Sequence, residues 1–343
     1  MNFLKRPFQL GNLILPSNIF YAPLAGCSDF PFRKMSALYR PGLMFCEMVK
    51  MEALIRRVPE TLRMLEYSSE MRPIGGQICG SNPAIAGEAA KMIEEMGFDV
   101  IDLNCGCPVD KVTKDGSGSG LLKNPEIIGE IVSNMVAAVK IPVTIKIRIG
   151  WDEQNIVAPL ITQIAEKAGA TAITIHGRTR QQAYKGPANW DFIRDCKQVA
   201  NTIKVIGNGD IMSPEAACRI FSHTQCDGIL VARGMLGQPW IVQEIISALE
   251  GNVSPKRPLE EFREALLQHL SHSMAFKSER GALIDMRRVC CWYLKNVAGA
   301  REFRAKASHA QSISEVKELI EKFELKPMEA NANEAEFGVA CEC

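Results

Sequence analysis

Between residue 19 and about residue 250 the chain alternates short β-branched runs with longer stretches of helical periodicity, and few architectures accept that pattern. The runs are "IFYAP", "MFCEM", "IGGQICG", "VIDLN", "VTIKIRI", "AITIHG", "KVIGNG" and "GILVARG". Two of the intervening stretches, Asn82 to Gly97 and Asn124 to Lys140, open with Asn then Pro. That pair marks a helix start, because Asn caps the first turn and Pro is accommodated within it. Eight strands, most followed by a helix, predict an α/β chain folded as a (β/α)8 barrel, which typically needs about 250 residues. A doubly wound open sheet is the alternative; the strand count and the placement of polar residues argue against it.

Those polar residues fall where strands end: Pro23, Gln77, Asn104, Lys146, Arg148, His176, Asn208, Asp210 and Arg233. In a barrel the C-terminal strand ends share one face, and that face carries the chemistry. Polar residues are common at any strand end, so a single one decides little. Nine of them spread over seven strands mark a site.

The pattern changes after Gly251. "NVSPKRP" reads as a linker, and helical periodicity then runs from Leu259 to about Leu325 without strand signals. We therefore expect a barrel over 1–250, a small all-helical domain over 251–327 and a disordered acidic tail over 328–343. Residues 256–306 carry 11 Lys or Arg against 6 Asp or Glu, whereas residues 307–343 carry 3 against 8. The formal charge of the whole chain is only +1, so any nucleic-acid surface has to be local. The N-terminal stretch is interrupted by Gly11 and Pro16 and makes a poor signal peptide, and no run of about 18 apolar residues could span a membrane. Twelve irregularly spaced cysteines then read as reduced thiols in a cytoplasmic protein.

The ends of the last two strands, "VIGNGDI" and "LVARGMLGQPW", place glycines where backbone amides approach a ligand closely. Barrels commonly bind a phosphate there, and Arg233 strengthens the expectation of a phosphorylated cofactor or substrate. Lys146, flanked by Ile145 and Ile147, either points into the barrel mouth or snorkels outward. In the mouth its ammonium could offset negative charge on an electron-rich ring. His176 can donate a hydrogen bond to a ring or a phosphate, and Arg178 and Arg180 just beyond it suggest recognition of an anion outside the barrel.

Cys105 and Cys107 in "IDLNCGCPVDKV" admit several readings. A Cys-x-Cys pair without further ligands at metal spacing is weak evidence for zinc, so no metal is expected. A redox pair is conceivable although the spacing is not CxxC. Burial in the core suits Cys105. Cys107 sits between Gly106 and Pro108 in the loop beyond the strand, and a thiol is mostly protonated at neutral pH, so it can supply a proton.

Taken together, these segments resemble the tRNA-dihydrouridine synthases. The likeness runs from "IFYAPLAGCSDFPFR" through "GGQICG", "DLNCGCPVDKV", "TIKIRIGW", "IHGRTRQQAYKGPANW" and "GNGDI" to "ARGMLGQPWI", and on into "MRRVCCWYLKNVAGAREFR". The most specific part is the Asn-x-Gly-Cys-Pro segment followed by "GSGSGLL". The resemblance implies FMN as cofactor, NADPH (or NADH) as reductant, tRNA as partner and a barrel followed by a helical tRNA-binding domain, with a monomer sufficient. By position it implies that Pro23, Leu24 and Ala25 line the flavin ring and that Gln77, Asn104 and Lys146 meet its polar edge. His176 would lie close to the flavin or its phosphate. Asn208, Gly209 and Asp210, with Ala232, Arg233 and Gly234, would hold the ribityl chain and phosphate. Two positions depart from the family: Cys105 replaces a residue that is usually not a thiol, and Ala232 a frequent glycine.

The implied reaction is reduction of the C5–C6 double bond of uridine to 5,6-dihydrouridine, with hydride added at C6 and Cys107 protonating C5. The implied catalytic residues are Cys107 and Lys146. Arg178 and Arg180 at the mouth, with Arg287, Arg288, Lys295, Arg301, Arg304 and Lys306 on the helical part, are candidates for tRNA contacts. The alternatives are an FMN barrel acting on a small molecule, a non-catalytic tRNA-binding relative and a metal-binding barrel.

Overall fold

A computed structural model describes residues 3–253, 257–295, 297 and 299–324. It divides into two compact units: Leu236–Pro239 group with the described residues from Arg257 onward, and the other described residues up to Val253 form the first unit.

In the first unit a short antiparallel hairpin, β1 (Phe8–Leu10) and β2 (Leu13–Leu15), precedes the main sheet. The sheet strands are β3 (Ile19–Tyr21), β4 (Leu43–Phe45), β5 (Val49–Lys50), β6 (Ile74–Cys79), β7 (Val100–Cys105), β8 (Val143–Arg148), β9 (Ala172–His176), β10 (Lys204–Asn208) and β11 (Gly228–Val231). Every pairing among them is parallel, and a β4–β6 pairing closes eight strands into a barrel, with β5 attached beside β6. All eight expected strands form, and the open-sheet alternative is excluded by the closure.

Parallel barrel strands are covered on both faces, by the barrel interior and by helices, so their sequences need not alternate. Accordingly β7, β9 and β11 are buried at every position. The Asn-Pro helix starts differ in detail. Asn82 Oδ1 accepts from Ala84 N at 3.0 Å and opens a 3-10 turn that leads into the helix Ala86–Glu95. Asn124 precedes the helix Pro125–Ala138 but makes no side-chain cap.

The hairpin was not expected from its sequence. Its Phe8, Leu10 and Leu15 are buried in one cluster with Phe20, Leu43, Val100, Ala172, Ile206 and Leu230. Val100 and Ala172 open their strands, so the hairpin stops the N-terminal end of the barrel.

The second unit contains the helices Leu259–Phe276, Glu279–Tyr293, Arg301–His309 and Ile313–Glu321. Ser278 and Ser312 cap two of them through their hydroxyls. Leu266, Met286, Cys290, Val316 and Ile320 form the buried face, as an amphipathic stripe requires. The acidic tail expected over 328–343 lies outside the described residues. Among the described residues no helix is long and apolar enough to cross a membrane.

Candidate active site

Strand register places the polar strand ends side by side. Asn104 is level with Lys146, Arg148 with His176, and His176 with Asn208. The residues i and i+2 of a strand share a face, so Lys146 brings Arg148 with it and Asn104 brings Asp102.

Beyond β7 the chain turns through Gly106 and Cys107, and each main-chain polar group of these two residues is bonded. Asn104 Oδ1 accepts from Gly106 N at 3.0 Å and from Cys107 N at 2.9 Å. Arg148 Nε donates to Gly106 O at 2.9 Å. Ser119 donates to Cys107 O from both its N (3.1 Å) and its hydroxyl (2.9 Å). Gly118, at φ +58°, completes the support: a Cβ there would stand 3.0 Å from Cys107 O and 3.2 Å from Cys107 Cβ. Lys50 ties the same segment down through Asp115 (2.6 Å) and Ser117 Oγ (3.0 Å). Cys107 is thus half-buried on a fixed loop, whereas Cys105 is fully buried.

Burial pushes the Cys107 thiol above its ordinary pKa, and the Val109 N–H, Arg148, Lys146 and Lys50 only partly oppose it. The thiol therefore keeps its proton at neutral pH. Cys105 is raised further by complete burial. Lys146 is lowered to about 8 by burial and by Arg148, with Asp102 and Cys107 opposing, so it remains largely cationic at neutral pH. Arg148 spans three carbonyls, those of Gly106, Thr179 and Ala183.

At β9 and β10, His176 Nδ1 is 2.7 Å from Asn208 Oδ1, while Asn208 Nδ2 donates to Leu230 O at 2.7 Å. Asn208 Oδ1 must then accept, so His176 carries its proton on Nδ1 and Nε2 is an acceptor. Burial holds the ring well below its ordinary pKa, in the neutral form. Its buried Nε2 has no protein partner. The expected donation by His176 to a ring or phosphate is thereby corrected: the buried Nε2, as an acceptor, suits a hydroxyl donor.

Gly209, at φ +116°, accommodates the close approach of Ala188, whose Cβ would lie 2.7 Å from a Cβ at this position. Asp210 Oδ1 and Oδ2 receive Arg178 Nη2 at 2.9 and 2.8 Å, and Oδ1 also faces Arg233 Nη2 at 3.3 Å. Arg178 also donates to Gly186 O and is only 3% exposed. Its assignment to tRNA is corrected accordingly: a guanidinium enclosed by Asp210 and Gly186 cannot reach a polynucleotide outside. Its Nη1 is buried without a protein partner. Arg180 does stand at the rim, paired with the carboxylate of Asp110 and 4.7 Å over the Trp151 ring. Arg233 lies 4.9 Å over the Tyr184 ring and Arg148 5.7 Å over it.

Ala232, Arg233 and Gly234 form the turn after β11, where Met235 N bonds Ala232 O at 3.0 Å. Pro23, Leu24 and Ala25 follow β3, with Leu24 N held by Ser28 Oγ at 2.7 Å and Gly26 N, just after the segment, by Glu47. Gln77 joins Asn104 and Asp102 by hydrogen bonds of 2.9 and 2.7 Å.

In the helical unit the cationic candidates separate. Arg287 donates to Ala310 O at 2.8 Å, and Arg304 to Leu294 O at 2.7 Å, so both serve the fold of that unit. Arg288 pairs with Asp285 and covers Trp292. Lys295, Arg301 and Lys306 are exposed, Lys306 beside Glu302. Among the described residues no three His, Cys, Asp or Glu side chains converge as metal ligands.

Asp102, Ser119 and Tyr184 were not singled out from sequence, and Arg148 was marked only as a polar strand end. The two-residue spacing from Asn104 could have flagged Asp102.

A closed parallel barrel whose C-terminal rim gathers a protonated thiol, a half-buried lysine and a neutral imidazole has the makings of an enzyme. Residues 20–329 match the dihydrouridine synthase (Dus) family, and the chain belongs to that family. It is 38% identical over 304 residues to tRNA-dihydrouridine synthase B of Pseudomonas aeruginosa, covering 88% of this chain and 91% of that protein. It is also 38% identical over 320 residues to a probable tRNA-dihydrouridine synthase 1 of Synechocystis, covering 92% and 89%. Among solved structures, histamine dehydrogenase from a Rhizobium species shares the fold, with TM-score 0.56, 15% identity, and coverage of 78% of this chain and 50% of that one.

Proposed function

We propose that this protein reduces uridines in tRNA to 5,6-dihydrouridine, with FMN as bound cofactor and NADPH or NADH as reductant. The observation that carries the proposal is Cys107: a protonated thiol on a loop with every main-chain polar group bonded, in a chain of the dihydrouridine synthase family.

The strand ends fit a phosphorylated flavin. His176 Nε2 and Arg178 Nη1 are buried polar atoms without protein partners, and such atoms call for a ligand. The first accepts from a hydroxyl, as a ribityl chain provides. The second donates to an anion, as can Arg233, which shares Asp210 with Arg178. Asn208, Gly209, Asp210, Ala232, Arg233 and Gly234 would hold ribityl and phosphate; Pro23, Leu24, Ala25, Gln77, Asn104 and Lys146 would surround the ring. The chemistry that FMN supplies when bound is hydride transfer to C6 of uracil, after its reduction by the nicotinamide.

The chain's own residues do the rest. Cys107 holds a proton at Sγ and delivers it to C5, so that hydride and proton together saturate the double bond. General-acid help of this kind is worth about 10²–10⁴-fold. Lys146 offsets negative charge as it accumulates near β8. The target base must leave its stack to reach this depth, and Arg180 at the rim, with Arg288, Lys295, Arg301 and Lys306 in the helical unit, would contact the tRNA backbone. Purified protein should carry a flavin absorbance and, given NADPH, convert uridine to dihydrouridine in tRNA prepared from a strain lacking the gene. A flavin-loaded protein that leaves every uridine of that tRNA intact would overturn the proposal.

A further inference from the structure

Beneath the Cys107 loop lies a chain of polar side chains whose direction is fixed at both ends. A main-chain N–H can only donate, so the Asn104 atom facing Gly106 N and Cys107 N is Oδ1. Asn104 Nδ2 is left to donate to Gln77 Oε1 at 2.9 Å. Gln77 must then present Nε2 to whatever stands behind it, which is Asp102 Oδ2 at 2.7 Å. Thr144 Oγ1 donates to the other carboxylate oxygen at 2.6 Å. Either amide could be reversed without changing its shape. The two N–H groups at one end and the acid at the other allow one sense only.

Resting on the functional reading given to Cys107, we propose that Asp102 is a positioning residue for the proton donor. Its buried carboxylate fixes the orientation of the Gln77 and Asn104 amides and, through Asn104, the loop that carries Cys107. Asp102 is 3% exposed, and its carboxylate accepts from Gln77 and Thr144, not from Cys107. Burial raises its carboxyl to about 6, with Thr144, Gln77 and Lys146 opposing, so at neutral pH it is an acceptor as the chain requires. Loss of that acceptor leaves Gln77 Nε2 buried and unpaired, and the penalty falls on the amide chain rather than on the barrel core.

The role belongs to the hydrogen bond and not to the charge, which makes two substitutions diverge. In Asp102→Asn the new amide can still turn Oδ1 toward Gln77. Its Nδ2 then faces Thr144, whose hydroxyl can swing to Ile101 O, 3.5 Å away. In Asp102→Leu, branched at the same atom but bulkier, no acceptor remains.

The test is the alkylation rate of Cys107 by iodoacetamide at a single pH, followed by mass spectrometry on its peptide in the flavin-loaded protein, with melting temperature read alongside. Asp102→Leu is expected to speed alkylation by about tenfold and to lower kcat for tRNA reduction with KM unchanged, and Asp102→Asn to stay within about twofold of wild type. Should the leucine variant not fold, Asp102→Ala takes its place in the comparison. Wild-type alkylation in the leucine or alanine variant overturns the proposal. So does an asparagine variant as fast as the leucine one, because the carboxylate would then act as a counter-charge to Lys146. Uridine reduction by the wild-type protein is read separately: its absence overturns the proposed function, while the alkylation pattern alone decides the part played by Asp102.

Discussion

At the β7 end of the site, Gly106 and Cys107 are held mostly by neutral partners, an amide oxygen and a serine, with one guanidinium. At the β9–β11 end, a carboxylate stands between two guanidiniums, those of Arg178 and Arg233. The first arrangement fixes a thiol without drawing off its proton, since burial outweighs the nearby cations. The second concentrates positive charge where a phosphate is expected to sit. One barrel rim thus holds a protonated thiol and a carboxylate–guanidinium cluster by two kinds of bond.

Removing the acid tests the first end most severely. Cys107→Ala should lower single-turnover reduction of tRNA uridine by about 10²–10⁴-fold, while Cys105→Ala, a core change, should alter melting temperature more than rate. At the other end, Asp210→Ala leaves Arg178 buried without its counter-charge. Because Asp210 is 30% exposed, the loss should fall at or below the low end of the usual range, about 2–3 kcal/mol in urea unfolding, with weaker flavin retention on dialysis. The pH profile probes the middle of the rim. Lys146 is charged below about 8 and neutral above it, so kcat/KM should fall as pH rises through about 8 while Cys107 still holds its proton. Lys146→Arg should move that limb to higher pH. The mildest effect belongs to the surface: neutralising Lys295, Arg301 or Lys306 singly should raise KM for tRNA a few-fold and reduce the salt dependence of binding by about one phosphate contact each.

The barrel was legible because eight apolar runs recur, seven of them ending in polar residues, and because β-branched strands and helix starts are local signals. Cys107 was legible for the same reason, as a thiol between Gly106 and Pro108. Arg178 was not. Its partner Asp210 is 32 residues away, and nothing local shows that the side chain turns inward while Arg180 turns to Asp110. Asp102 was hidden for a related reason: an acid inside an apolar strand acquires meaning only from Gln77 and Thr144 on neighbouring strands. The hairpin escaped because two three-residue strands carry too little periodicity to register.

That hairpin has a consequence for traffic. With Phe8, Leu10 and Leu15 packed across the far end of the barrel, the proposed site opens at the opposite rim. On the proposed function, a nicotinamide and a tRNA must both approach through it and reach the same ring. They have to come by turns, the first gone before the second enters.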